Sequence, residues 1–242
     1  MTQSVSSPSL LAAFVVATCA TAASADTISH TDFSSGTNGW QGNGGAEIQS
    51  DGLNDYFRIP GVTDMFWYEF ANNTNPDMLG DYGAKGDLLE LSFDMQSNHI
   101  RFFGNPVDSR AVIFELRNYD LGDDFYPYAS VQFNMGTVSG HGQDWTNYSL
   151  TFDPNSEELP AGWQPYGAED SEGNWTLPRD VTFADLISGV DEVVIHSAEL
   201  GFFYPFTTFD LAIDNITLRS VPAPGALALL GGPALLAGRR RR

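Results

Sequence analysis

Cysteine is nearly absent. Cys19 is the single one in 242 residues, and it falls inside an N-terminal apolar stretch. The rest of the chain therefore has no disulfide, no thiolate-ligated zinc and no thiol nucleophile. Basic residues are scarce as well: 11 Lys and Arg stand against 31 Asp and Glu, a net charge of −20. Such a surface repels nucleic acid, which removes that class of partner. No apolar run reaches the ~20 residues of a permanent membrane span. Motifs of metal and nucleophile chemistry are missing too. His30, His99, His141 and His196 are scattered, without the close His spacings of a zinc site, and neither a phosphate-binding Gly loop nor a Gly-x-Ser-x-Gly elbow occurs. Carboxylates are so abundant that some pair at glycosidase distance is expected by chance, so their number does not point to a hydrolase.

What is present is most specific at the two ends. Leu10 to Ala22 is an uncharged, mostly apolar stretch followed by Ala23-Ser24-Ala25. Small residues there match the site that a signal peptidase reads, so residues 1–25 are expected to be a signal peptide cleaved before Asp26. At the other end, Val221-Pro222-Ala223-Pro224 precedes the 14 uncharged residues Gly225 to Gly238, and Arg239, Arg240, Arg241 and Arg242 close the chain. A basic cluster behind an apolar helix is a stop-transfer layout with the arginines on the cytoplasmic side. The helix would be only about 21 Å long, against a hydrocarbon core of ~30 Å. It suits transient inner-membrane anchoring better than a permanent hold.

This tail, residues 220–242, resembles the PEP-CTERM sorting signal: a Pro-Glu-Pro-like tripeptide, an apolar helix and a terminal arginine cluster. Ala223 stands where the family pattern has glutamate. The resemblance implies an exosortase as processing partner, export across the inner membrane, and a place at the surface of a bacterium that makes an exopolysaccharide matrix.

Between the ends, residues 26–219 hold all 31 acids and only 7 of the 11 basic residues, a net charge near −24. The length suffices for one domain with a sizeable core. Leu89 to Met95 alternates strictly and predicts a strand with one buried face. Ala111 to Leu116 is apolar at nearly every position, which predicts a strand covered on both faces. Further strands are expected at Tyr128 to Phe133, Trp145 to Phe152, Glu192 to Ala198 and Phe209 to Leu218, separated by Gly, Asn, Asp and Pro clusters. One helix is expected at Asp180 to Ser188, capped by Asp180 or Thr182, with Phe183, Leu186 and Ile187 on one face. Asp153 to Pro178 reads as a long polar loop. The fold class is therefore all-β: an antiparallel β-sandwich of jelly-roll type with one short helix.

The body also resembles a laminin B (domain IV) module and, in shape, the galactose-binding-like jelly rolls of carbohydrate-binding modules. The matching blocks include Asp32-Phe33 with Gly39-Trp40, Phe66-Trp67-Tyr68, Met78 to Tyr82, and Ala212-Ile213-Asp214-Asn215-Ile216. The resemblance implies an adhesive or matrix role without catalysis. Asp214 shares the parity of Ala212, Ile216 and Leu218 and is read as pointing inward, where a carboxylate needs a partner. The modules that the chain resembles often hold a structural calcium between first and last strands, and Asp32 and Asp214 match those places. Three functions stay open: a non-catalytic glycan- or matrix-binding module, a structural surface protein without a small ligand, and a secreted glycoside hydrolase. For the first, Trp163, Tyr166 and Trp175, or Tyr126 and Tyr128, are the rings expected to stack on sugars.

Overall fold

The computed structural model describes residues 25–203 and 205–222. The signal-peptide expectation over residues 1–24, the sorting residues Ala223, Pro224 and Arg239 to Arg242, and the apolar tail helix lie outside the described residues. Among the described residues, no helix is long and apolar enough to cross a membrane.

Among the described residues, fifteen strands follow one another: β1 (Asp26–Thr31), β2 (Trp40–Gly42), β3 (Glu47–Ser50), β4 (Asp55–Met65) and β5 (Glu69–Asn72). Next come β6 (Leu89–Phe102), β7 (Asn105–Pro106), β8 (Ser109–Asn118), β9 (Ala129–Ser139) and β10 (Gln143–Phe152). The last are β11 (Trp163–Tyr166), β12 (Ala168–Glu169), β13 (Trp175–Thr176), β14 (Glu192–His196) and β15 (Thr207–Ser220), with the helix α1 (Phe183–Ile187) before β14. A seven-stranded sheet has the order β10-β6-β15-β4-β3, with β1 also on β15 and β7 on β6; a six-stranded sheet has the order β11-β9-β8-β14-β5-β2. Every pairing in both sheets is antiparallel. The all-β antiparallel sandwich read from the sequence is the fold of the body.

Period-two alternation sorts the faces. Leu89, Leu91, Phe93 and Met95 of β6 turn inward from the first sheet, and Val112, Phe114 and Leu116 of β8 from the second, into one core. The helix closes that core with Phe183, Leu186 and Ile187. Its start is set by a capping box: Asp185 N donates to Thr182 Oγ1 at 3.0 Å, while Thr182 N donates to Asp185 Oδ2 at 3.0 Å. Two backbone donors that the first turn would otherwise leave open are thereby satisfied.

Two expectations change. The segment 153–178 is not a loop throughout: β11 pairs with β9 and widens the second sheet, and β12 and β13 form a small hairpin. Asp214 does not point inward. Register on β6 slips between Asp214 and Thr217, where Asn215 adopts a left-handed φ of 51°. This bulge inverts the parity of β15. Leu211 and Ile213 before it and Ile216 and Leu218 after it join the core, while Asp214 sits opposite Asp94 on the outer face.

Candidate functional site

The outer face of the six-stranded sheet is polar but covered. Glu115 alternates with the core residues Phe114 and Leu116, so its side chain leaves the sandwich, yet it has no exposed surface. Its neighbours across the strands are Gln132 on β9 and Val194 on β14. Ser130 Oγ donates to its Oε1 at 2.6 Å and Gln132 Nε2 to the same oxygen at 3.0 Å. Arg117 Nε donates to Oε2 at 2.8 Å, and Arg117 Nη2 lies 2.6 Å from the same oxygen.

Arg117 ties further strands in. Its Nη1 donates to Glu192 Oε2 at 2.9 Å, and its guanidinium lies 4.8 Å from the centre of the Tyr128 ring, a cation–π placement. Tyr119 Oη donates to Glu192 Oε2 at 2.8 Å. Burial pushes the Glu115 carboxyl up, but His196 and Arg117 together outweigh it and hold the group well below the usual carboxylate range. Glu115 is thus a fixed anion. Burial, then the hydrogen bond to Glu192, pushes the Tyr119 phenol up to about 12.

Above this network lies a hollow of about 230 Å³ bounded by Trp67, Glu69, Tyr128, Tyr166, His196 and the segment 198–201. Two buried polar atoms on its walls have no hydrogen-bond partner: Gln132 Oε1 and His196 Nε2. His196 Nδ1 accepts from Ala198 N at 3.0 Å, which assigns the ring proton to Nε2. That nitrogen lies 3.2 Å from Glu115 Oε2 but is not aligned to donate to it. A hollow of about 260 Å³ at Asn43, Met65 and Phe66 shares Trp67 and Glu69 with the first. Another of about 230 Å³, at Gln164, Pro165 and Trp175, shares Leu200. The three form a groove that runs across the strands.

Aromatic rings wall one end of the groove. Tyr166 lies 5.2 Å from Tyr128, 5.5 Å from Tyr126 and 5.2 Å from Trp175, centre to centre. Tyr166 and Trp175, expected as ligand-facing rings, are thus brought together with Tyr126 and Tyr128. Trp163 is not. It is 6% exposed and packs against Phe114, Phe133, Phe152 and Phe183 at 5.2–6.1 Å. Tyr166 lies three positions further along the same strand, so the two face opposite ways. Trp163 is a core residue.

Asp32 and Asp214 sit elsewhere. Asp32 Oδ1 accepts from Ser34 N and Oγ at 3.1 and 2.7 Å. Asp214 accepts from Asn54 Nδ2 at 2.8 Å and from Asn215 N at 2.7 Å. Burial pushes the Asp214 carboxyl up, against the pull of those two donors. Among the described residues, no group of three or more His, Cys, Asp or Glu side chains is placed to hold a metal ion.

The polar residues of the groove, Glu69, Glu115, Arg117, Gln132 and His196, and Glu192 in the network beneath them, are not marked by any local pattern in the sequence. One signal was available: Glu115 interrupts the otherwise apolar run Ala111 to Leu116, and a charge at such a position needs a partner.

The chain matches no protein-family model and no curated protein. Among solved structures it is similar to a family 11 carbohydrate-binding module from Clostridium thermocellum in complex with a β-1,3-1,4-mixed-linked tetrasaccharide. Identity is 15%, coverage 81% of this chain and 96% of that one, and the TM-score 0.45. It is also similar to the CBM22-1-GH10 modules of the Clostridium thermocellum xylanase 10B complexed with xylohexaose, at 10% identity, 81% and 29% coverage and a TM-score of 0.44. A carbohydrate esterase from the Shiga toxin-encoding bacteriophage phi24B is similar at 14% identity, 81% and 99% coverage and a TM-score of 0.41.

Proposed function

We propose that the groove binds a polysaccharide chain without cleaving it, and that the protein displays it at the cell surface or in the surrounding matrix. The observation that carries this reading is the juxtaposition of aromatic rings with a buried, unpartnered acceptor, Gln132 Oε1. Buried polar atoms in folded proteins are almost always hydrogen-bonded. A sugar offers hydroxyls that donate to such an acceptor, and an apolar ring face that stacks on Tyr or Trp. The run of three joined hollows suits a chain of sugars rather than one.

Cleavage is disfavoured by the same residues. Glycoside hydrolysis needs one carboxyl protonated and a second ionised across the scissile bond. Glu115 is held ionised and has its oxygens occupied by Ser130, Gln132 and Arg117. It supports the floor of the groove instead of moving protons.

Replacing Tyr166 by Ala should weaken polysaccharide binding roughly tenfold, the scale of losing one ring contact of about 1.4 kcal/mol, while the melting temperature changes little. Affinity electrophoresis against a polysaccharide panel, with a melting curve for each protein, checks this. Binding by the wild type that survives Tyr166→Ala unchanged would place the site elsewhere. Binding to no polysaccharide would favour a structural surface protein, and release of reducing ends would favour a hydrolase.

Export and exosortase processing are proposed from the terminal sequences alone: the Ala23-Ser24-Ala25 cleavage pattern and the Pro222-Ala223-Pro224 tail with its four arginines. Intact-mass analysis of the protein from a host with an exosortase is expected to show both the first 25 residues and the terminal arginines removed. Mature protein that keeps Arg242 would refute the processing.

A further inference from the structure

The groove is dominated by hydrogen-bond acceptors and negative charge. Glu69, Glu115 and Glu199 line its central hollow. Among the described residues lining the three hollows, Arg117 is the one permanent cation, and it is already committed to Glu115 and Glu192. Glu69 differs from Glu115. Its side chain is 30% exposed, no hydrogen bond reaches its carboxylate, and the nearest Arg117 nitrogen is 3.8 Å from it, beyond hydrogen-bond range. Lining the same hollow, the 95%-buried Gln132 has an acceptor, Oε1, that nothing in the protein satisfies. On the donor side stand the tyrosine hydroxyls.

A ligand that fits such a lining must be rich in donors. Neutral sugar hydroxyls qualify. A uronic acid does not, because its carboxylate would meet Glu69 and Glu199 with no free cation to receive it. A protonated amine fits best, since it carries three donors and a positive charge. Hydrogen bonds between ionised partners are roughly twice as strong as neutral ones. The body's net charge near −24 adds a field of the same sign.

We infer that the cleft prefers glycans bearing protonated amino groups, the deacetylated amino-sugar type, over neutral glycans, and excludes uronic-acid chains, with Glu69 as the residue that receives the amine. This rests on the glycan-binding reading above and names the class of chain that it takes.

The test uses short probes so that the acidic surface as a whole contributes little. A β-1,4-linked glucosamine tetrasaccharide, its N-acetylated counterpart and a galacturonate tetrasaccharide are titrated into the wild type by calorimetry, at a pH where the amines are protonated. The amine probe should bind roughly tenfold more tightly than the N-acetylated one, as one charge-assisted hydrogen bond allows, and the uronate probe should give no measurable heat. In Glu69→Gln, the ratio between amine and N-acetylated probes should fall to about twofold or less. In Glu47→Gln, on the other sheet, the ratio should stay near tenfold. Raising the salt should also reduce the ratio, since a partly exposed charge is screened over a Debye length of ~10 Å at 0.1 M. Melting curves establish that each variant is folded.

Equal binding of the amine and N-acetylated probes overturns the preference while leaving glycan binding in place. A preference that Glu69→Gln does not lower, or that Glu47→Gln lowers equally, overturns the assignment to the cleft and points to the surface at large. Binding of none of the probes overturns this inference together with the reading it rests on.

Discussion

Arg117→Met should destabilise the protein by about 3–5 kcal/mol, the usual result of removing one partner from a buried ion pair. For a body of this size, that corresponds to a fall in melting temperature of roughly 6–20 °C. The loss is large because Glu115, with no exposed surface, and Glu192 would both lose their guanidinium partner. Adding Glu115→Gln should recover part of it, because the amide carries no charge to leave stranded. If the double variant melts no higher than Arg117→Met alone, the packing of the arginine stem, not the charge, carries the effect.

The same pair makes a pH prediction. The folded-state Glu115 carboxyl lies below its ordinary value of 4.5. A lowered carboxyl contributes stability that is fully present above the unfolded value and is lost as the pH falls below it. Arg117 supplies part of that contribution, beside His196, so the difference in stability between wild type and Arg117→Met should shrink as the pH drops from neutral to below about 4.5. Denaturant unfolding at stepped pH measures it. A constant difference across that range would contradict the proposed role of the pair.

Trp163→Ala should cost a similar ~3–5 kcal/mol, by a different route: it opens a cavity where the ring packs among four phenylalanines. Trp175→Ala, in the surface hairpin, should cost about 1 kcal/mol or less, the range of substitutions away from the core. Trp163→Ala should also weaken glycan binding, because β11 carries Trp163 at one end and Tyr166 at the other. Loosening the strand from below releases the ring above. A Trp163→Ala protein with an unchanged melting temperature would show that the ring is not packed as described.

The contrast shows what the sequence makes legible. Strands with a long regular pattern can be read directly: Leu89 to Met95 declares its faces through alternation, and Ala111 to Leu116 declares double coverage through its lack of any. The helix is visible because Thr182 and Asp185 stand at capping-box spacing. Trp163 and Tyr166 are different. Their facing depends on a strand of four residues whose own pattern is too short to show a period, and which exists because β9 offers it an edge. The direction of Asp214 depends on one bulge at Asn215, and a single inserted residue reverses every parity beyond it. The groove is least legible of all. Glu69, Glu115, Gln132, Tyr166 and His196 come from five strands, each contributing one or two outward residues. No local spacing relates them; only the strand order does.

The network around Glu115 also bears on the entropy of recognition. Side chains on an exposed binding surface usually become immobilised when a ligand arrives, at a cost of about 0.5–1.5 kcal/mol each. Here Arg117, Gln132 and Glu192 are already held by hydrogen bonds before any sugar is present. If the groove binds a polysaccharide as proposed, its floor is a rigid template, and much of the ordering falls on the polysaccharide. A stiff, extended glycan, which has little conformational freedom to surrender, is therefore favoured over a flexible chain of the same composition.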